Sequence, residues 1–383
     1  MTIEQQVIAW RRHIHKHPEF GFEEQLTSEM VARCLEEMGI EVHRNIGKTG
    51  VVGILKCGSS ERSIGLRADM DALHIKEQNC FAHASVHEGV MHACGHDGHT
   101  AMLLGAAHEL ARTHNFDGTV YFIFQPCEEH GLGAKAMIAD GLFTRWNIDA
   151  VYAIHNLPGI AEGHIVTRPG SLMASESSFE IDVIATGGHA ALPHMGTDPI
   201  VVGAQIVTAM QTIVSRNLSA IDETAVISIT EFTTNGTVNV IPSQVKIKGD
   251  TRSFTDEALH KIEAAIERVV KGQCLSAGVE YKYTFNNSFL STINSDKETQ
   301  HAISAAQKVV GEDQVNGNCQ PFTISEDFSF MLREVPGCYI LMGNGIGECG
   351  GTALHNPNYD FNDKILMNGV KYWQVLVEEQ LAK

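Results

Sequence analysis

Apolar residues recur at helical spacing from the start of the chain. Ile3, Val7, Trp10 and Ile14 share one face, Thr2 and Gln5 read as a capping box, and Pro18 stops the helix. A second helix is predicted to run to about Met38, with Gly39 as its stop. Beyond it the pattern becomes short apolar runs at 51–55, 64–66, 120–124 and 150–154, each closed by polar or glycine-rich residues. Helical patterns at 100–111 and 134–139 lie between them. Strands with so little polar alternation, interleaved with helices, predict a largely parallel sheet covered on both faces.

The middle of the chain alternates apolar and polar strictly at 179–183, 245–247 and 279–285, as strands with one wet face do. The predicted order is strand 179–185, helix 198–216, strand 225–232, strand 244–252, helix 256–275 and strand 279–285. That is the βαββαβ, ferredoxin-like arrangement. A helix near 298–310 and an apolar strand near 339–342 then return to the first pattern. The expected fold is therefore α/β: a mixed, largely parallel sheet domain from 1–175 and 290–383, and an inserted α+β domain at 176–289. The joints fall near Ser175 and Phe289.

With 383 residues, 43% of them apolar and 19% charged, the chain has enough apolar material for this two-domain core. A net charge of −18 and the lack of a basic patch argue against a nucleic-acid partner. No stretch approaches the ~20 apolar residues of a membrane span, and Met1 to Arg12 has no signal-peptide pattern. The nine cysteines, Cys349 among them, are scattered without a CxxC pair. Free thiols of this kind suit a reducing cytoplasm.

Twenty histidines raise the prospect of a metal site. The densest cluster, HACGHDGH (92–99), precedes a helix and offers Cys94, His96 and Asp97. A second, QPCEEH (125–130), follows the strand at 120–124 and places Glu128 and Glu129 at its carboxyl end. A third, AIHNLP (153–158), ends another strand with His155. Taken singly, each is equally a capping turn, a solvated acidic turn or a structural histidine. Together they bring ligand-type residues to one edge of one sheet, where open α/β sheets bind ligands. Of two adjacent glutamates, one can hold a metal while the other takes a proton from water. The run LRADMD (66–71) puts two acids past a further strand, where one can orient a ligating histidine or simply cap a loop. On composition alone His355 is an ordinary loop histidine.

The runs RRHIHKHPEFGFEE (11–24), GLRADMDAL (65–73), MHACGHDGHTAMLLGAA (91–107), FIFQPCEEHGLGAKAMI (122–138), GGHAALPH (187–194), VNVIP (238–242), SEDFSF (325–330) and LHNPNYDFND (354–363) resemble the M20 metallopeptidases. More narrowly, they are similar to the amidohydrolase branch with hippurate hydrolases, N-acyl-amino-acid deacylases and indole-acetyl-amino-acid hydrolases. The resemblance covers nearly the whole chain. It implies two divalent metal ions (Zn, Mn, Co or Ni) held by Cys94, His96, Glu129, His155 and His355, with Glu128 as general base and Asp69 behind the metals. It also implies that the inserted domain is a lid that pairs two copies into a homodimer. There His189 stabilises the oxyanion, and Asn239 and Arg252 meet the substrate. Against the family pattern, His74 stands where proline is usual, and Cys127 and His130 flank the glutamates where alanine and glycine are usual.

The expected activity is metal-dependent hydrolysis of the amide bond of small N-acyl amino acids. The family also admits a dipeptidase or a deacetylase of a biosynthetic intermediate. The residues alone leave two rivals: a metal-free amidase with Cys94 as nucleophile, and a catalytically silent binding protein.

Overall fold

Three of the apolar runs, 64–66, 120–124 and 150–154, join the later run at 339–342 as the centre of one sheet, and the run at 51–55 lies antiparallel beside them. In the computed structural model, which describes residues 1–348 and 350–383, strands Gly118–Gln125, Ser63–Asp69, Ala150–Pro158 and Gly337–Gly345 lie side by side, parallel and almost wholly buried. Antiparallel strands Gly50–Cys57 and Glu41–Ile46 extend one side, and the two-residue strands Ile165–Val166 and Val315–Asn316 extend the other, making eight. Helices Ile3–Lys16, Gln25–Glu37, His96–Thr113, Asp296–Val310 and Leu366–Gln380 bury apolar faces in one core, through Val7, Leu35, Leu103, Ala302 and Trp373. The compact unit they form comprises Met1–Leu172, Ile293–Pro321 and Glu326–Lys383. Parallel strands end on one edge, so Asp69, Gln125 and the His155–Pro158 end of the third strand come out together.

The Thr2/Gln5 capping box is present, and the first helix ends at Lys16 with His17 as its cap. Helix His96–Thr113 starts four residues before its periodicity does, because His96, Asp97, Gly98 and His99 are all buried yet carry no apolar phase. The short edge strands and the last helix lie beyond the sequence reading. Cys349 lies outside the described residues, and the other eight cysteines form no disulfide. No helix among the described residues is long and apolar enough to cross a membrane.

A second compact unit consists of Met173–Thr292 and Phe322–Ser325. Its antiparallel sheet runs in the order Ala225–Thr234, Gln244–Ser253, Glu176–Ile184, Glu280–Phe289. Buried Phe179, Ile181, Val183, Val245 and Ile247 meet Ile206 and Met210 of helix Pro199–Thr212 and Ile262 and Ile266 of helix Asp256–Ala277. The strict alternation has its cause here, since this sheet carries helices on one face only. The helix expected to reach residue 216 ends at Thr212 and continues as one π turn, Ile213–Asn217.

Helices Ile3–Lys16 and His96–Thr113 are joined by an ion network whose Arg11, His15 and Asp97 are fully buried. Arg11 Nε lies 3.0 Å from Asp97 Oδ2, and His15 bridges Asp97 (2.8 Å) and Glu77 (3.2 Å). Burial by itself lowers the His15 pKa, but Asp97 and Glu77 outweigh it and raise it from 6.5 to about 9. A raised histidine stabilises the fold fully below its unfolded value and loses that contribution as pH rises through its folded value. Up to ~3 kcal/mol is involved. Between pH 6.5 and 9.5, the melting temperature of the wild type should therefore fall more steeply than that of His15→Gln. Parallel curves would show that His15 stays neutral.

Candidate active site

Gly95 makes the approach possible. It caps helix His96–Thr113 with φ +97°, and a Cβ there would meet Asn156 Oδ1 at 2.1 Å and the Tyr359 hydroxyl at 2.7 Å. This turn presents Cys94 and His96 side by side, under the loop that follows strand Gly118–Gln125. Cys94 Sγ lies 3.4 Å from His155 Nε2, and His96 Nε2 lies 3.8 Å from Glu129 Oε1. His355 Nε2 reaches the other Glu129 oxygen at 3.5 Å, and its backbone N–H donates to Ala93 O (2.8 Å), tying the C-terminal loop to the HACGH run. Cys94, His96, Glu129, His155 and His355 are thus brought together.

The surrounding hydrogen bonds leave lone pairs facing inward. His155 donates from Nδ1 to the Asn156 carbonyl (2.6 Å), and His96 Nδ1 pairs with Asp71 Oδ1 (3.1 Å), which turns both Nε2 atoms inward, that of His155 onto the Cys94 thiol. His96 Nε2 and Glu129 Oε1 are buried without a hydrogen-bond partner, and each is an acceptor. An imidazole nitrogen and a carboxylate oxygen 3.8 Å apart, with a thiol beside them, favour positive charge between them. A proton can supply it, because Asp69, Asp71 and Glu129 outweigh burial and hold His96 at about 10. A metal ion supplies it better, and the soft sulfur, imidazole and carboxylate donors suit a divalent transition metal.

The charges around Cys94 weigh against a cysteine nucleophile. Burial, then Glu129, Glu128 and Asp69, push the Cys94 thiol well above its ordinary range. A nucleophilic cysteine needs the opposite, a cationic setting that favours thiolate. A bound metal ion would favour the thiolate form of Cys94.

Glu128 turns the other way, beside Glu326 and Asp327, and its Oε1 accepts from the Asp327 N–H (3.4 Å). Burial, Glu326, Glu129 and Asp327 raise its pKa well above the usual carboxylate range. Arg67 is the counter-ion of this group, with Asp69 at 2.6 Å, Glu326 at 2.9 Å and Asp327 at 3.2 Å.

From the sequence Asp69 is the acid expected behind the metals, with no role assigned to Asp71. The structure places Asp71 on His96, while Asp69 holds His99 at 2.6 Å and comes within 3.8 Å of His96. A period of two put both acids on one side of the strand end, so that signal was available. His99, three residues after His96 on the same helix face, was also visible as a pattern. Glu326 and Asp327 were not, since they come from a remote segment that no local spacing links to Arg67 or Glu128, and Arg67 and Asn156, though beside Asp69 and His155, carry no pattern that marks their contacts.

In the second unit, strand Gly188–His189 pairs with Val240–Ile241, and Ala190 N–H donates to Asn239 O (3.0 Å), so His189 and Asn239 are neighbours. His189 is exposed, and its Nδ1 accepts from Ala191 N–H (3.1 Å). Arg252 stands apart, half-buried and tied to Glu176 (2.6 Å), Asp250 (2.9 Å) and Ser325 (2.8 Å).

A largely parallel sheet with a cysteine, histidine and carboxylate cluster at its carboxyl edge is the layout of a metal-binding α/β protein. Residues 65–379 match the family described as Peptidase family M20/M25/M40, and the chain belongs to that family. It is 40% identical over 371 residues to a hippurate hydrolase of Campylobacter jejuni, covering 97% of this chain and 95% of that one. To an N-acetyl-L-cysteine deacetylase of Bacillus subtilis it is 37% identical over 371 residues, covering 96% and 86%. The fold superposes on a dinuclear metal binding peptidase from the M20 family of Bacillus subtilis with a TM-score of 0.86 and 31% identity, covering 99% and 98%. Family and relatives together make the protein a metal-dependent amidohydrolase.

Proposed function

We propose that the protein cleaves the amide bond of small N-acyl amino acids, N-acetyl or N-benzoyl, to a carboxylic acid and a free amino acid. The observation that carries this is the buried, unpartnered pair His96 Nε2 and Glu129 Oε1 beside Cys94, a site that calls for a cation. In this reading Cys94, His96, Glu129, His155 and His355 hold two divalent ions. When bound, the ions polarise the acyl carbonyl and make the attacking water more acidic. Glu128 takes the water's proton and returns it to the departing amine; its carboxyl sits beside Glu129 but turns to Glu326 and Asp327, which leaves it free for proton transfer. His189 donates to the oxyanion from Nε2, the nitrogen that carries the proton once Nδ1 accepts from Ala191. Asn239 and Arg252 meet the amino acid's carboxylate or carbonyl.

The second unit acts as lid and dimer interface. Its edge strand Ala225–Thr234 exposes Val226 and Phe232, and helix Pro199–Thr212 exposes Ile200 and Val201. We place the enzyme in the cytoplasm, in keeping with the unpaired cysteines among the described residues.

The test is hydrolysis of N-acetyl-methionine, N-benzoyl-glycine and a free dipeptide, before and after chelation, with zinc, manganese and cobalt restored singly. An N-acyl substrate should be cleaved, lost to chelator and recovered with one metal. Preferential cleavage of the dipeptide would make it a dipeptidase on the same site. Activity that survives metal removal, verified by elemental analysis, would end the metal reading.

A further inference from the structure

The HPEFGFEE run (17–24) has no part in the chemistry so far, yet its end is fully buried against the loop that carries both glutamates. Glu24 has no exposed surface. Its Oε1 accepts from the backbone N–H of Cys127 (2.9 Å) and its Oε2 from the Thr49 hydroxyl (2.6 Å). Cys127, immediately before Glu128, sits at φ +50°, a left-handed conformation that a non-glycine residue keeps only when its surroundings impose it. The rest of the loop curls over it: Gly133 N–H donates to Cys127 O (3.0 Å) and Gly131 N–H to Glu128 O (2.8 Å). Gly21 allows the close approach, since a Cβ there would stand 2.7 Å from Cys127 Sγ.

We propose that Glu24 is a positioning residue for the reaction, acting through the Cys127 amide to set the direction in which Glu128 leaves the backbone. This rests on the reading of Glu128 as general base. Asp71 holds the Glu129 N–H (3.1 Å) and Asp327 holds Gln125 Nε2 (2.7 Å) and Ala134 N–H (2.9 Å), so the loop is gripped at its ends and at Glu129 without Glu24. What Glu24 alone determines is the strained peptide before Glu128. A displacement of ~1 Å at a catalytic group can cost as much as 100-fold in rate.

The experiment compares two conservative variants, with Glu128→Gln alongside. Glu24→Asp keeps the charge but is one methylene too short to reach the Cys127 amide. Glu24→Gln keeps the reach, since its amide oxygen still accepts from Cys127 and its NH2 can donate to Thr49. We expect Glu24→Asp to lose roughly 10- to 100-fold in kcat, with KM within about twofold and wild-type metal content. Glu24→Gln should stay within about threefold of wild type, because the acceptor is retained. Full kcat in Glu24→Asp, equal losses in both variants, or a loss that follows metal content would overturn the proposal. Should Glu24→Asp fail to melt cooperatively, Thr49→Val removes the other anchor: a fall in kcat at constant KM supports the role, and unchanged kcat rejects it. An active Glu128→Gln would instead show that the general base is another group.

Discussion

Glu128→Gln should keep its metal ions and its fold while kcat falls between about 100- and 10,000-fold, the range general acid–base catalysis supplies. The side chain is nearly isosteric, and its amide oxygen can still accept the Asp327 N–H that Glu128 accepts now. Metal content should be unchanged, because Glu128 sits with Glu326 and Asp327 while Glu129 faces Cys94 and His96. Stability should hold or rise, since the change removes an ionisable group from among three buried carboxyls that already disfavour its charge. The checks are kcat and KM on the best N-acyl substrate, elemental analysis and thermal melting. A variant with wild-type kcat would remove Glu128 from proton transfer. A variant that also lost metal would make Glu128 a ligand.

Cys94→Ala should lose metal, and activity with it. The thiol is the soft donor of the site, 3.4 Å from His155 Nε2 and grouped with His96 and Glu129. Losing even an outer-shell partner typically costs 10- to 100-fold in metal affinity, and a direct ligand costs at least that. In the wild type, added metal should raise the melting temperature, because a ligand that binds only the folded state stabilises it in proportion to the logarithm of its concentration over Kd. Cys94→Ala should show that rise only at metal concentrations at least about 10- to 100-fold higher. Alkylation cannot discriminate here, since it disables a ligand and a nucleophile alike. Unchanged metal affinity together with lost activity would reinstate Cys94 as nucleophile.

The two variants probe glutamate and cysteine that stand in short runs, and both runs were legible. HACGHDGH and QPCEEH each carry their donors within eight residues, before a helix or after a strand, so local pattern sufficed to nominate them. The same holds for the two folding patterns: unbroken apolar runs mark strands buried on both faces, and strict alternation marks the sheet with one wet face. His355 was a loop residue by composition and rose only through resemblance; its place at Glu129 depends on a backbone bond to Ala93, more than 250 residues away in sequence.

What periodicity and composition could not reach is the identity of the groups that hold the donors in place. Asp71 rather than Asp69 pairs with His96 Nδ1, Arg67 balances Glu326 and Asp327 beside Glu128, and Glu24 grips the Cys127 amide. Short-range patterning specifies elements because a helix or strand repeats every 3.6 or two residues, and the repeat is written in the neighbours. A buried polar contact has no period. It forms where strand register and helix packing bring distant segments together, and only the folded chain settles which acceptor meets which donor.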